Sequence, residues 1–251
     1  MAKIVSIHSY RGGTGKSNTT ANLAAQLCQF GYRVGVVDTD IQSPGIHVLF
    51  GLQAEETKFT LNDYLWGKCE VAKAAYDVTA RVGVATRGKL FLIPSSIKAN
   101  EIARILREGY DVGMLSDGYE ELIRSLQLDV LMIDTHPGLN EETLLSIVVS
   151  TTVILLLRPD QQDYQGTAVT VDVARKLGVA DLLILVNKVP SVFNADEVRA
   201  MVERTYQCEV GAVLPHADDL MALASSGLYT LQFPESDITK QLQAVARRIM
   251  L

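Results

Sequence analysis

The run KIVSIHS (3–9) is apolar and β-branched, and it passes at once into YRGGTGKS (10–17). After it, Lys16 to Phe30 reads as a helix that stops at Gly31. A strand, a glycine-rich loop and a helix in that order strongly constrain what the chain can fold into. Glycines let a bound anion approach the backbone, and the first turn of the helix offers unpaired N–H groups at the positive end of its dipole. The phosphate-binding pattern G-x-x-x-x-G-K-[ST] is met by Gly15, Lys16 and Ser17, but its first glycine position holds Tyr10. In this setting Lys16 is expected to reach the β- and γ-phosphates, and the Ser17 hydroxyl to ligate Mg²⁺. Gly12, Gly13, Thr14, Gly15, Lys16, Ser17 and Asn18 are the expected nucleotide contacts.

The rest of the chain repeats the strand and helix alternation. Candidate strands are 33–39, 89–95, 129–135, 152–158, 181–187 and 209–215, with helical spacing between them. Several are apolar throughout, as strands covered on both faces are. The predicted fold class is α/β, with a mostly parallel twisted sheet of about seven strands and helices on both faces. No linker or repeat divides residues 1–251, so a single domain is expected. The 48% of hydrophobic residues suffices for a large core, and no apolar run reaches the roughly 20 residues of a membrane span. A net charge of −6 excludes a generally basic nucleic-acid binder, but not a local basic patch. Cys28, Cys69 and Cys208 lie far apart without a C-x-x-C, which fits a reducing cytosol and three apolar fillers.

Ligands of parallel sheets bind beyond the C-terminal strand ends, so the residues there are the candidates. DVLMIDTHPG (129–138) delivers Asp134 from an apolar strand, the arrangement that brings a carboxylate to Mg²⁺. His136, in the same loop, reads as a structural hydrogen-bonding group rather than a catalyst. Asp38 and Asp40 follow VGVV two residues apart and share one side of an extended chain. Each can serve Mg²⁺ or an attacking water, or cap the turn before Pro44-Gly45. Asn187, at a strand end, has both a donor and an acceptor for adenine, or else caps the strand. The absence of an N-K-x-D signature after it favours ATP over GTP.

These segments together resemble the ParA/MinD family of deviant Walker A ATPases. RGGTGKS (11–17), VVDTDIQSP (36–44), LMIDTHPGLNEETL (131–145), LVNK (185–188) and VLPHADDLMALASSG (213–227) carry the likeness over nearly the whole chain. The resemblance implies a P-loop NTPase fold, ATP and Mg²⁺ as cofactors, and slow, partner-stimulated ATP hydrolysis. It assigns water positioning to Asp40 and metal-side support to Asp38. Pro215 and the backbone after it would flank the base. Arg11 stands where the family carries a signature lysine that touches the partner protomer's phosphates in an ATP-bound homodimer. Lys16, Asp40 and Arg11 are thus the expected catalytic residues, with Arg158 and Lys188 as other basic residues able to complete the sandwich. ParA-like members bind nonspecific DNA, here through candidates Arg199, Arg204, Lys240, Arg247 and Arg248, and would act in the cytoplasm on the nucleoid with a cargo adaptor that activates hydrolysis. MinD-like members use a terminal amphipathic helix on membrane. Here the stripe Ile238, Leu242, Val245 and Ile249 reads more simply as core-facing. A carrier of iron–sulfur clusters would need a cysteine pair at the dimer interface, and the three cysteines match no such spacing.

Overall fold

The computed structural model describes residues 2–83, 87–223 and 225–251. β1 (Lys3–His8) lies centrally between β5 (Val130–Asp134) and β6 (Thr152–Leu157), and all three run parallel. β2 (Arg33–Asp38) pairs with β5, and β4 (Lys89–Ile93) with β2. On the other side β7 (Leu182–Val189) and β8 (Glu209–Pro215) extend the sheet. β3 (Tyr76–Asp77) adds an antiparallel edge, giving the eight-strand order β3-β4-β2-β5-β1-β6-β7-β8. Each of the seven expected strands is present within two residues of its expected ends. β3 escaped the sequence reading because two residues carry no periodicity.

Val5, Ile7, Val34, Val36, Leu131, Ile133, Val153 and Leu155 are all buried, which accounts for the continuous apolar runs. One face is covered by α1 (Lys16–Gln29) and the terminal helix Asp237–Ile249. Ala21, Ala24 and Ala25 of α1 are small and fully buried, so helix and sheet approach closely. Ile238, Leu242, Val245 and Ile249 are buried in the same cluster, as expected of a core-facing stripe. Leu242→Ala should therefore cost about 2–5 kcal/mol in urea unfolding, without changing which residues surround the loop after β1. The opposite face carries two further clusters, one around Tyr64, Leu115 and Leu122, the other around Ile147, Val171 and Val202. Trp66 packs at the rim of the first of these, and its ring lies under Arg104 and Lys68, at 4.4 and 4.8 Å. Among the described residues, no helix is long and apolar enough to cross a membrane.

Two details concern the sheet's outer margin. On β8 the Val213 N–H donates to Gln241 Oε1 (3.0 Å) and the Val210 N–H to Glu203 Oε1 (3.3 Å), while the Val210 carbonyl accepts from Arg199. At the other margin stands only the two-residue β3.

Candidate nucleotide site

The parallel register sets Asp38 beside Asp134, at the C-terminal ends of β2 and β5. Ile7 is the register partner of Asp134 on the other side, so the loop after β1 rises next to the Asp134 carboxylate, with Asp38 one strand beyond. That loop is fastened at several points. Ser9 Oγ donates to the Arg11 carbonyl at 2.7 Å and receives Lys16 Nζ at 3.3 Å. The Ser9 carbonyl accepts the Gly138 N–H at 3.2 Å, tying the loop after β5 to it. From β7, Asn187 Nδ2 donates to the Thr14 carbonyl at 2.8 Å and Lys188 Nζ to the Gly13 carbonyl at 2.9 Å. Gly15 holds φ at +101°, and an added Cβ would lie 2.5 Å from Asn187 Nδ2. Gly15→Ala is thus expected to distort the loop on two counts, left-handed backbone and collision. A loss of nucleotide affinity of at least tenfold, measured by calorimetry, would follow from even a small misplacement of the cradle.

Lys16 is 7% exposed, and burial pushes its ammonium below the ordinary lysine range against the pull of Asp134 and Asp40. Thr14 Oγ1 is buried without a protein partner, an orphan that an anion's oxygen would satisfy. Asp134 is buried, and burial raises its carboxyl to about 6, opposed by hydrogen bonds from Ser17 and Thr20 and by the Lys16 charge. Asp38 is completely buried and is raised well above the carboxylate range by burial and then by the charges of Asp134 and Asp40. Its oxygens accept from the Asp40 N–H (3.1 Å) and the Gly45 N–H (3.3 Å). Two adjacent carboxylates that resist ionisation are what a divalent cation would relieve, and a hydroxyl with carboxylate oxygens suits Mg²⁺. No group of three or more His, Cys, Asp or Glu able to hold a metal occurs among the described residues. The site therefore fits a cation that shares its ligands with phosphate and water, not one held in an all-protein cage.

A pH dependence follows. Asp134 titrates near 6 in the folded chain and near 3.8 when unfolded, so the folded state holds the extra proton between these values. The Asp134 contribution should therefore favour the folded state increasingly as pH falls through 6, opposing the loss from carboxylates such as Asp163 and Asp181 that arginine partners hold low. A melting series with and without Mg²⁺ and ADP checks this, the ligand flattening the slope near pH 6.

Asp40 sits at the mouth of the site, where its Oδ1 accepts from the Ser43 N–H at 3.1 Å and meets His136 Nδ1 at 2.7 Å. His136 is therefore a hydrogen-bonding group, as its isolation in the sequence suggested, with a partner in the loop after β2 that local sequence does not reveal. His8 went unremarked in the sequence. It is buried under the loop, bonded through Nδ1 to Thr135 Oγ1 at 2.9 Å, and desolvation lowers it to about 3, so it stays neutral.

Arg11 is held within its own chain. Its Nη1 lies 3.5 Å from Asp160 and 3.4 Å from Asp163, at the start of the helix Gln161–Lys176. Asp163 also receives Arg158 Nε at 2.9 Å. Burial favours its neutral form, but the Arg158 bonds and the Arg158 and Arg11 charges outweigh this and hold the carboxyl below its usual range. Tyr10, at the vacant glycine position, lays its ring on Gly166, where a Cβ would come within 2.1 Å of Tyr10 Cδ1. Arg11, Arg158 and Lys188 thus all border the loop. Asn187 is buried, and an open cleft beside it is lined by Asn18, Asn22, Leu214 and Tyr229, among others. Pro215 is exposed at the end of β8. Sequence reasoning named Asn18 and Asn187 here, and Leu214 within the segment 213–227, but missed Asn22 and Tyr229, which only packing brings to the cleft.

A parallel sheet with this loop, lysine and strand-end aspartate defines a P-loop NTPase. The chain belongs to the ParA family, whose model, described as NUBPL iron-transfer P-loop NTPase, matches residues 1–250. It is 26% identical to an uncharacterised ATP-binding protein of Methanocaldococcus jannaschii, covering 100% of this chain and 88% of that protein. It is 23% identical to the septum site-determining protein MinD of Thermotoga maritima, over 99% of this chain and 88% of that one. Among solved structures, MinD of Pyrococcus horikoshii, complexed with Mg-ADP, superposes with a TM-score of 0.80 at 21% identity, covering 99% of this chain and 96% of that one.

Proposed function

We propose that this chain is a ParA-like ATPase that closes as an ATP-dependent sandwich dimer, binds nonspecific DNA and positions a cargo, with release by partner-stimulated hydrolysis. The observation that carries the nucleotide part is the convergence of Lys16, Ser17, Asp38, Asp40 and Asp134 at the ends of three adjacent strands. Bound ATP with Mg²⁺ supplies the phosphoryl group that water attacks in line. With phosphate bound, Lys16 would exchange Ser9 Oγ for phosphate oxygens and offset their charge from a nearly buried position. Ser17 and Asp134 hold the metal's shell, Asp38 backs it, and Asp40 orients the water. Asn187 keeps a second amide proton after bonding Thr14, and its oxygen a second lone pair, so adenine recognition from the adjoining cleft is chemically open. Arg11 serves a second protomer only after leaving Asp160 and Asp163. As an exposed pair and a half-exposed one, these contacts are of the kind that a phosphate can displace.

The nucleoid reading is favoured over a membrane one by the terminal helix, whose apolar stripe is occupied in the core. Of the basic candidates, Arg248 is bound to Asp181 and Glu209, Arg199 to Val210 and Glu203, and Arg247 lies over Phe30, while Arg204 and Lys240 are exposed. A cluster-carrier role has less support, because Cys28, in α1, and Cys208, just before β8, are buried in separate clusters. The deciding experiment measures binding to a DNA duplex of arbitrary sequence with ATP and Mg²⁺, with ADP, and without nucleotide, across a salt series beside anionic liposomes. ATP-dependent DNA binding that weakens steeply with salt is the expected result. Liposome binding without DNA binding overturns the DNA reading in favour of a MinD-like one.

A further inference from the structure

We infer that His136 is a positioning residue for hydrolysis, holding Asp40 so that one carboxylate oxygen is anchored and the other faces water. The inference rests on the reading of Asp40 given above. Both of the protein's bonds to the Asp40 carboxylate fall on Oδ1: the Ser43 N–H at 3.1 Å, from its own turn, and His136 Nδ1 at 2.7 Å, from the loop after β5. Among the described residues nothing donates to Oδ2. An acceptor that aligns a water needs a free oxygen on a carboxylate that does not rotate, and a second anchor from another strand supplies that restraint.

His136 is itself fixed. Its carbonyl accepts from Thr143 Oγ1 at 3.2 Å, and Thr143 N in turn donates to the capping Asn140 side chain at 2.8 Å. Two residues on, the Gly138 N–H bonds the Ser9 carbonyl, and Pro137 lies against Gly12. The imidazole therefore measures Asp40 against the same loop that carries Lys16. Because Nδ1 makes the bond, an asparagine at 136 offers an amide N–H at nearly the same reach, while alanine offers none. The side chains at 136 and 40 are 24% and 16% exposed, so losing the bond leaves neither as a buried orphan and the fold should tolerate it.

The test compares His136→Ala, His136→Asn, Asp40→Ala and the double variant Asp40→Ala/His136→Ala in single-turnover ATP hydrolysis with saturating Mg²⁺. Calorimetric binding of a slowly hydrolysed ATP analogue runs in parallel. His136→Ala should slow hydrolysis by about 10- to 100-fold with analogue affinity within about twofold. His136→Asn should recover most of the rate, and the double variant should be no slower than Asp40→Ala. A readout free of turnover is the nitrogen-15 spectrum of the histidine rings, four in this chain. It should show His136 protonated at Nδ1, with that signal moving on Asp40→Ala. If His136→Ala hydrolyses at the parent rate while Asp40→Ala does not, the inference fails and the role of Asp40 stands. If Asp40→Ala itself keeps the parent rate, the reading of Asp40 fails and takes this one with it. Equal loss of affinity and rate in His136→Ala, without rescue by asparagine, marks a merely structural histidine and also overturns the inference.

Discussion

Lys16→Ala should lose nucleotide affinity by about 100- to 1,000-fold, the largest loss of binding expected of any single change argued here. The ammonium is nearly buried, its partner within the chain is a neutral hydroxyl, and the only opposing charges near it are the site's own carboxylates. It is therefore held where a phosphate would be its strongest partner, and a cation in such a place contributes more than one in water. The check is thermal. The parent protein should melt several degrees higher with millimolar Mg²⁺ and ADP, and Lys16→Ala should melt at one temperature with or without them. An undiminished ligand-induced rise in the variant would show that phosphate is bound elsewhere.

Asp40→Ala should separate binding from chemistry. If Asp40 orients the attacking water as proposed, its removal should slow single-turnover hydrolysis by about 100- to 1,000-fold and leave affinity for ATP within about twofold. Asp134→Ala should behave differently, because Asp134, which accepts from Thr20, is the residue proposed to hold Mg²⁺. Mg²⁺-dependent affinity should fall together with the rate. A variant at 40 that binds ATP weakly and turns over normally would reverse the roles given to these two aspartates.

Much of this site was legible in the chain because its parts are local. The loop after β1 announces itself by glycine, lysine and serine at fixed spacing, and Asp134 by the apolar run that delivers it. The four residues Ile238, Leu242, Val245 and Ile249 lie in the core as their spacing implied. What could not be read is what depends on contacts between distant segments. Arg11 meets Asp160 and Asp163, 149 and 152 residues away, Asn187 bonds a carbonyl of the first loop, and His136 finds Asp40 in the loop after the neighbouring strand. A side chain's local neighbours say nothing of such partners. β3 was invisible for another reason: two residues that pair antiparallel need no pattern, only the space that β4 leaves at its side. The basic residues show the same limit. Arg199 and Arg248 look like free cations in sequence, yet each is engaged by carbonyl or carboxylate groups.

The margins of the sheet have a consequence for self-association. A strand with open N–H and C=O groups is a template for further strands, and therefore for fibrils and swapped dimers. On β8 the side chains of Glu203, Gln241 and Arg199 occupy those groups, and at the far side β3 is too short to recruit a strand of another molecule. Among the described residues both margins thus offer little open backbone to a strand of another molecule, which blunts lateral growth of the sheet.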